Sequence, residues 1–391
     1  MLRRLGLMGA LVVLLGVVFG CGGTPRVGVL LPSTGEASDY GDSIESGIRL
    51  AIATGRNRDQ LPQGFEVIWA DTASDPQRAL AELRKMASER ALHMVIGGAT
   101  SAEARVLMPV LEELEVVCLS PSASAPGLAE LSRYFFRIYP SDELEGHTAA
   151  KFTYERLQAY QVVLYAGNAE YTKGIEPEFR RQYEESLKGT IVDRIDLREE
   201  EWQQQSTRAL RSAPGAAVYV IGFAEEILGV LNHLADYGFD GRVVTTSSFY
   251  STRVIRAAGE LAEGVLFPLP PFDRTAETEP VLGFVNDYMD TYQRAPDVYA
   301  AHGYDAMRVA IEVMTQARPP VATEIRRALL FGFTDFRGVT GRIVFDESGD
   351  VKHYPKMFIV NSGQVLSYQR YLDDEKARIL REVQSLLTRQ G

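Results

Sequence analysis

From Val27 onward, short apolar runs alternate with stretches whose apolar residues recur at helical spacing, and this alternation limits the fold more than any other feature of the chain. Val27–Leu31, Phe65–Ala70, Met94–Ile96 and Val116–Leu119 read as strands. Between the first two, Ile44, Gly47, Ile48, Ala51 and Ile52 follow the i, i+3, i+4, i+7, i+8 spacing of a helix laying one face on a sheet. Asp75 and Pro76 offer an N-cap and a first-turn proline to a second helix through Leu80, Leu83 and Met86, and a third begins near Ser101. Strands separated by helices pair in parallel, so the pattern predicts an α/β sheet covered on both faces.

At Phe135–Gly146 the rhythm breaks and then starts afresh. Val162–Tyr165, Ile191–Ile195, Ala217–Ile221 and Val243–Thr246 predict a second sheet, with Ile227, Leu228, Leu231, Leu234 and Ala235 marking one of its helices. The run Phe267-Pro268-Leu269-Pro270-Pro271 suits an extended chain crossing between two bodies. Two more helices follow, one on Val281, Phe284, Val285, Tyr288 and Tyr292 and one on Tyr304, Met307, Ala310, Ile311 and Met314. The turn Phe345–Asp350 joins two late strands, and 372–390 is a charged amphipathic helix with Ile379, Val383 and Leu386 on one face. With 391 residues, 46% of them hydrophobic, the chain has material for two cores and is too apolar for global disorder.

Residues 1–20 stand apart in composition: Arg3 and Arg4, no acid, then an apolar run from Leu5 to Phe19. This is the pattern of an export signal, too short and too rich in glycine for a membrane span. Cys21 follows V-F-G, which resembles a bacterial lipobox, so 21–26 is expected to be a linker tethered to the membrane by lipid on the Cys21 sulfur. Phe19 is bulkier than that pattern prefers, and ordinary secretory cleavage nearby is the alternative. The only other cysteine, Cys118, lies in the apolar run V-V-C-L and reads as a buried, inert thiol.

The net charge of −11 repels a phosphate backbone and argues against a nucleic-acid partner. The five histidines fall on separate elements with no metal-ligand spacing, and no phosphate-binding glycine loop or nucleophile elbow follows any predicted strand. Neither a metal nor a cofactor is expected. Paired acids such as Glu112 with Glu113, and Glu199–Glu201, read as solvated helix faces.

Several segments, in order, carry a resemblance: V-G-V-L-L-P-S-T-G-E-A-S-D-Y-G-D-S from Val27, A-D-T-A-S-D-P from Ala70, V-I-G-G-A-T-S from Val95 and L-S-P-S-A-S-A-P from Leu119. F-R-I-Y-P-S-D at Phe136, Y-D-A at Tyr304 and F-D-E-S-G-D at Phe345 complete the set. Together they resemble the substrate-binding proteins of branched-chain amino-acid type ABC transporters, over roughly Val27–Tyr368. The resemblance implies the type I periplasmic binding fold, two doubly wound parallel-sheet α/β lobes joined by a three-strand hinge. Lobe 1 would hold 27–139 and 270–345, lobe 2 would hold 140–269 and 346–368, and 369–391 would form a C-terminal helix. It further implies a non-enzymatic receptor that closes on a small ligand and meets an ABC permease.

Ligands of open α/β sheets collect at the carboxyl ends of strands, where helix N-termini present unpaired N–H groups. Three first-lobe strands end in hydroxyl-rich loops: Ser33-Thr34, Thr100-Ser101 and Ser122-Ala123-Ser124. Each alone is also what a helix cap uses, Thr100 with Glu103 forming a capping box and Ser33 an N-cap. Their joint occurrence in the ligand positions of the resembled family points instead to a site. The resemblance also places Tyr40 and Tyr171 on the cleft wall, with Phe223 and Ser248 after second-lobe strands. Tyr304 reads as helix core. One departure stands out: amino-acid binders of this family carry an acid where this chain reads T-T-S-S-F-Y, Thr245–Tyr250. Either Glu225 substitutes from the neighbouring loop, or the ligand is a small carboxylate, amide or modified amino acid rather than a free α-amino acid.

Two functions fit these observations. One is a receptor delivering a small polar or carboxylated molecule to an importer. The other is a lipid-anchored regulator that uses the same fold to contact a cell-envelope protein, an option that the C-terminal helix favours.

Overall fold

The computed structural model describes residues 24–167, 169–250, 252–332 and 336–389. Residues 1–20, read as an export signal, and Cys21 lie outside them. The first lobe is built on β1 (Arg26–Leu31), α1 (Ser38–Asn57), β2 (Glu66–Asp71), α2 (Pro76–Glu89), β3 (Met94–Ile96), α3 (Ser101–Leu114), β4 (Val117–Ser120) and β5 (Phe135–Arg137). Its strands pair in parallel in the order β2-β1-β3-β4-β5. Asp75 caps α2 through its carboxylate, with Pro76 in the first turn, as the sequence led us to expect.

The second lobe follows with α4 (Asp142–Glu155), β6 (Gln161–Ala166), α5 (Ala169–Arg180), β7 (Thr190–Asp196), α6 (Trp202–Ser212), β8 (Ala217–Ile221), α7 (Ala224–Tyr237), β9 (Val243–Thr245), α8 (Thr252–Ala258) and β10 (Leu266–Leu269). The chain then forms α9 (Val281–Tyr292), α10 (Val298–Gln316), α11 (Ala322–Arg327), the hairpin β11 (Phe336–Gly338) and β12 (Gly341–Ile343), then β13 (Lys356–Asn361), β14 (Gln364–Ser367) and α12 (Tyr368–Arg389). The second sheet runs β14-β13-β10-β9-β8-β6-β7, with β13 and β14 antiparallel at one edge. Period-two alternation serves both of its faces. Val163, Tyr165, Val218 and Val220 enter one core, while Val162, Leu164, Ala217 and Tyr219 enter the other.

The proline-rich run corrects one expectation. Leu266–Leu269 is a strand inside the second sheet, and the crossing between bodies comes after it. Pro268 is tolerated because β10 meets β9 only at Leu266, so the missing N–H falls beyond that pairing. The returning chain joins the first core: Phe284, Met307 and Ile343 pack in the same cluster as Val29 and Ile96. Tyr304 is buried there against Phe284, as helix core.

Helices α1 and α10 cross at reciprocal glycines. A Cβ on Gly47 would lie 2.0 Å from the Ala300 carbonyl oxygen, and one on Gly303 would lie 2.3 Å from that of Ile44. This close crossing pins α10 to the first lobe, and with it Tyr299 in the first turn of α10. Cys118 is wholly buried with its thiol pushed up to about 12 by burial, the inert residue its apolar run predicted.

The amphipathic α12 packs on the second lobe only at its start, where Tyr368 meets Phe152 edge-on at 4.7 Å. Beyond it, Ile379, Val383 and Leu386 are exposed, so the apolar face read from the sequence is not covered by the body of the chain.

Candidate ligand cleft

A cavity of about 1030 Å³ lies between the lobes at the carboxyl ends of the central strands. The first lobe lines it with Tyr40, Thr100, Ser101, Arg105, Ser122, Ser124 and Tyr299. Tyr139 comes from the first crossover. The second lobe adds Asp142, Tyr171, Lys173, Phe223, Ser247, Ser248 and Tyr250. Eight of the residues singled out from the sequence, Tyr40, Thr100, Ser101, Ser122, Ser124, Tyr171, Phe223 and Ser248, therefore face one space. Ala123, Glu225 and the Ser33-Thr34 loop do not line it. Ala123 is buried, its N–H donating to Ser120 Oγ at 3.0 Å. Ser33 bonds Glu45, and Thr34 bonds Asp71.

Hydrogen bonds decide which of the hydroxyls can serve a ligand. Thr100 Oγ1 accepts from the Glu103 N–H at 3.2 Å, and Glu103 returns by accepting the Thr100 N–H at 3.1 Å, so this residue is a cap. Fully buried Glu103 also accepts from Thr72 Oγ1 at 2.5 Å, which fixes the start of α3 to the loop after β2. Ser122 donates its proton to the Ala99 carbonyl at 2.6 Å, and Ser248 Oγ bonds the Gly222 carbonyl at 2.5 Å. The Ser124 carbonyl accepts the Asp142 N–H at 2.9 Å, which ties this loop to the start of α4. Ser101 differs: its oxygen accepts the Ala125 N–H at 3.1 Å, which leaves its own proton to donate into the cleft. The first N–H groups of α3 add to it, since a helix start has no internal acceptors for them.

Aromatic rings form much of the wall. Tyr171 and Phe223 stack with centroids 4.8 Å apart and planes 12° apart. Tyr139 and Tyr299 lie nearly parallel at 6.1 Å, and Tyr40 meets Tyr299 edge-on at 4.6 Å. Tyr40 and Phe223 each keep 47% of their surface exposed, an apolar area that only a ligand or lobe closure would cover.

The departure at Thr245–Tyr250 also takes a definite form. Glu225 is exposed on the first turn of α7 and does not enter the cavity. It is neighbouring Glu226 that is committed, accepting the Phe223 N–H at 2.7 Å. Instead, acids come from α4: Asp142, 9% exposed, lines the cavity and Glu145, 5% exposed, lies one turn on. Burial raises both carboxyls out of the ordinary range, and for Glu145 the neighbouring Asp142 charge adds to the rise. Ser247 opposes it, its N–H and Oγ each donating to Glu145 at 2.7 Å. Sequence reading missed this pair because S-D-E-L-E looks like any capped, acidic first turn; Ser141 does cap α4.

A family model described as periplasmic binding protein matches residues 24–363. The leucine-, isoleucine-, valine-, threonine- and alanine-binding protein of Pseudomonas aeruginosa is 26% identical over 342 residues, 85% of this chain and 88% of that one. Among solved structures, the branched-chain amino-acid transporter substrate-binding protein of Streptococcus pneumoniae in complex with isoleucine superposes with a TM-score of 0.71 at 26% identity, covering 88% of this chain and 98% of that one. A solute-binding protein of R. palustris in complex with benzoate shares the fold at TM-score 0.69 and 18% identity, over 88% and 96% of the two chains. The two-lobed, mostly parallel architecture and the match across nearly the whole described chain lead to one conclusion: the chain belongs to the periplasmic binding protein family.

Proposed function

We propose that the protein is a non-enzymatic receptor of an ABC importer that captures a small polar or carboxylated molecule between its lobes and presents it to the permease. The observation that carries this reading is the convergence of unlike groups on one cavity. The Ser101 hydroxyl and the α3 N-terminus offer donors from one lobe, and Tyr171 and Phe223 offer apolar ring area from the other. A ligand bridging both draws the lobes together, with 138–141, 270–272 and 344–355 as the connections that bend.

A thermal-shift screen of small carboxylates, amides and amino acids tests the reading. A ligand at a hundredfold excess over its Kd adds about 2.7 kcal/mol of stability, enough for a clear midpoint shift. For a compound so found, Ser101→Ala should weaken binding by roughly 1–3 kcal/mol, the worth of a hydrogen bond to a charged group. Small-angle scattering should show compaction on binding. Absence of any shift across the screen, or binding without compaction, would count against a closing receptor.

The membrane tether is part of the same proposal. Lipid on Cys21 would hold the receptor at the cell envelope, and among the described residues no helix is long and apolar enough to cross a membrane. Cys21→Ser should move the protein from the detergent phase to the aqueous phase on partition, and an unchanged partition would remove the lipid anchor. The second reading, an envelope regulator, is favoured by the exposed apolar face of α12, and it takes the lead if no ligand is found.

A further inference from the structure

Helix α3 delivers to the cleft a charge that no acid of the described chain answers. Arg105 lines the cavity one turn beyond Ser101, and at i, i+4 the two share a helix face. Side chains on a helix lean toward its N-terminus, so the Arg105 guanidinium is carried over the turn that holds the Ser101 hydroxyl. Its helical neighbours at three and four residues are Ser101, Ala102, Met108 and Pro109, none of them an acid. The acids of α3 are spent elsewhere: Glu103 on Thr100 and Thr72, Glu112 on Arg133, and Glu113 on Arg84. Among the described residues Arg105 forms no ion pair and no side-chain hydrogen bond, and it is exposed.

The acids that could hold a ligand ammonium are set differently. Glu145 does not line the cavity, and both of its oxygens accept from Ser247, at 2.7 Å each. Glu225 stays outside the cavity as well. Asp142 does line it, but burial pushes that carboxyl toward its neutral form. Lys173, itself engaged within the chain, adds a positive charge to the same second-lobe lining. An ammonium entering this space would have to ionise Asp142 against its burial and lie beside two cations. A carboxylate meets the opposite situation: the Arg105 fork presents parallel N–H donors that fit its two oxygens, and Ser101 adds a hydroxyl proton.

We infer that the cleft selects an amine-free carboxylate with an apolar body, its carboxylate shared by the Arg105 guanidinium and the Ser101 hydroxyl and its body against the exposed surfaces of Tyr40 and Phe223. This rests on the receptor reading above and narrows it to a ligand class, with Arg105 as the residue that sets the specificity. It also gives the missing acid at Thr245–Tyr250 a reason: a ligand without an ammonium needs no counter-charge there.

The test uses three compounds of one skeleton: leucine, 4-methylpentanoate, which is leucine without its ammonium, and 4-methylpentanamide, which also lacks the negative charge. Calorimetry on the full mature chain should find 4-methylpentanoate bound about tenfold or more tighter than either of the others. Arg105→Gln should remove the preference for the acid over the amide while sparing amide binding, and Arg105→Lys should restore it only in part, because a single ammonium does not reproduce the fork. Arg105 is exposed, so the unfolding midpoints of both variants should match the wild type. Leucine binding as tightly as 4-methylpentanoate to the wild-type protein, a comparison that needs no variant, would overturn the inference and leave the receptor reading intact. So would an affinity for 4-methylpentanoate that Arg105→Gln does not change, or failure of all three compounds where the wider screen yields another ligand. Failure of every compound in that screen would overturn both.

Discussion

Arg137→Ala should cost about 2–4 kcal/mol of stability, read as a lowered unfolding midpoint, because it removes the fully buried half of an ion pair and strands the Ala125 carbonyl, while the partly exposed Asp350 can recover some of the loss from water. Arg137 ends β5 and is wholly shielded from solvent. Its Nε and Nη2 grip the Asp350 carboxylate, the latter at 2.9 Å, and its Nη1 donates to the Ala125 carbonyl at 2.7 Å. Asp350 belongs to the third connection between the lobes, where Asp346 Oδ1 accepts from Ser348, Gly349 and Asp350 N–H groups, each at 3.0 Å. One side chain thus ties the first connection, the third connection and the Ser122–Ala125 loop that borders the cleft. Ligand affinity should fall together with stability. Arg137→Lys should not rescue either property, since a single ammonium cannot reproduce a fork that satisfies a carboxylate and a carbonyl at once. A variant with unchanged midpoint would show that the connections hold without this brace.

The same neighbourhood shows what a sequence can and cannot announce. The turn Phe345–Asp350 was legible, because D-E-S-G-D carries its own chemistry: an aspartate that accepts three successive N–H groups, and Gly349 at φ 105°, where a Cβ would lie 2.4 Å from the Phe135 carbonyl. The Thr100–Glu103 box was legible for the same local reason. What Arg137 reaches was not, since Asp350 lies 213 residues away and nothing in F-R-I-Y names its partner. The cleft divides along the same line. Loops after β3 and β4 could be placed by their hydroxyls, but whether a hydroxyl proton points to ligand or to a carbonyl depends on neighbours from other strands, and most of them turn out to be spent on the protein itself. Tyr139, Tyr250 and Tyr299 meet only because a crossover, a loop after β9 and the start of α10 converge, a relation with no local signature. Asp142 was hidden by resembling an ordinary acidic helix start.

The Y-D-A motif at Tyr304 predicts the second large effect, and its reason lies in the middle residue. Asp305 sits fully buried on α10 and accepts the Val339 N–H at 3.0 Å, the Thr340 N–H at 2.8 Å and the Thr340 hydroxyl at 2.8 Å. Three donors from the β11–β12 hairpin thereby converge on one carboxylate. Gly338 makes the approach feasible, because a Cβ there would stand 2.3 Å from Asp305 Oδ2. Asp305→Ala strands all three donors in the interior at roughly 1–3 kcal/mol each, less what water recovers, so a net loss of about 3–5 kcal/mol is expected. Asp305→Asn keeps one carbonyl oxygen and turns an amide donor toward groups that are themselves donors, so it should recover only part of that loss. Burial raises the Asp305 carboxyl against the pull of Arg308 and these donors, so the proton it favours contributes stability fully below the ordinary carboxyl pKa, and that contribution fades as pH rises through the raised value. The Asn variant should lack this component of the acid-side profile. Asp305 does not border the cleft, so ligand affinity of the folded Asn variant should match the wild type, in contrast to Arg137→Ala. Equal stability of the Ala variant and the wild type would mean that the hairpin finds other acceptors, and that Asp305 is not what binds it to α10.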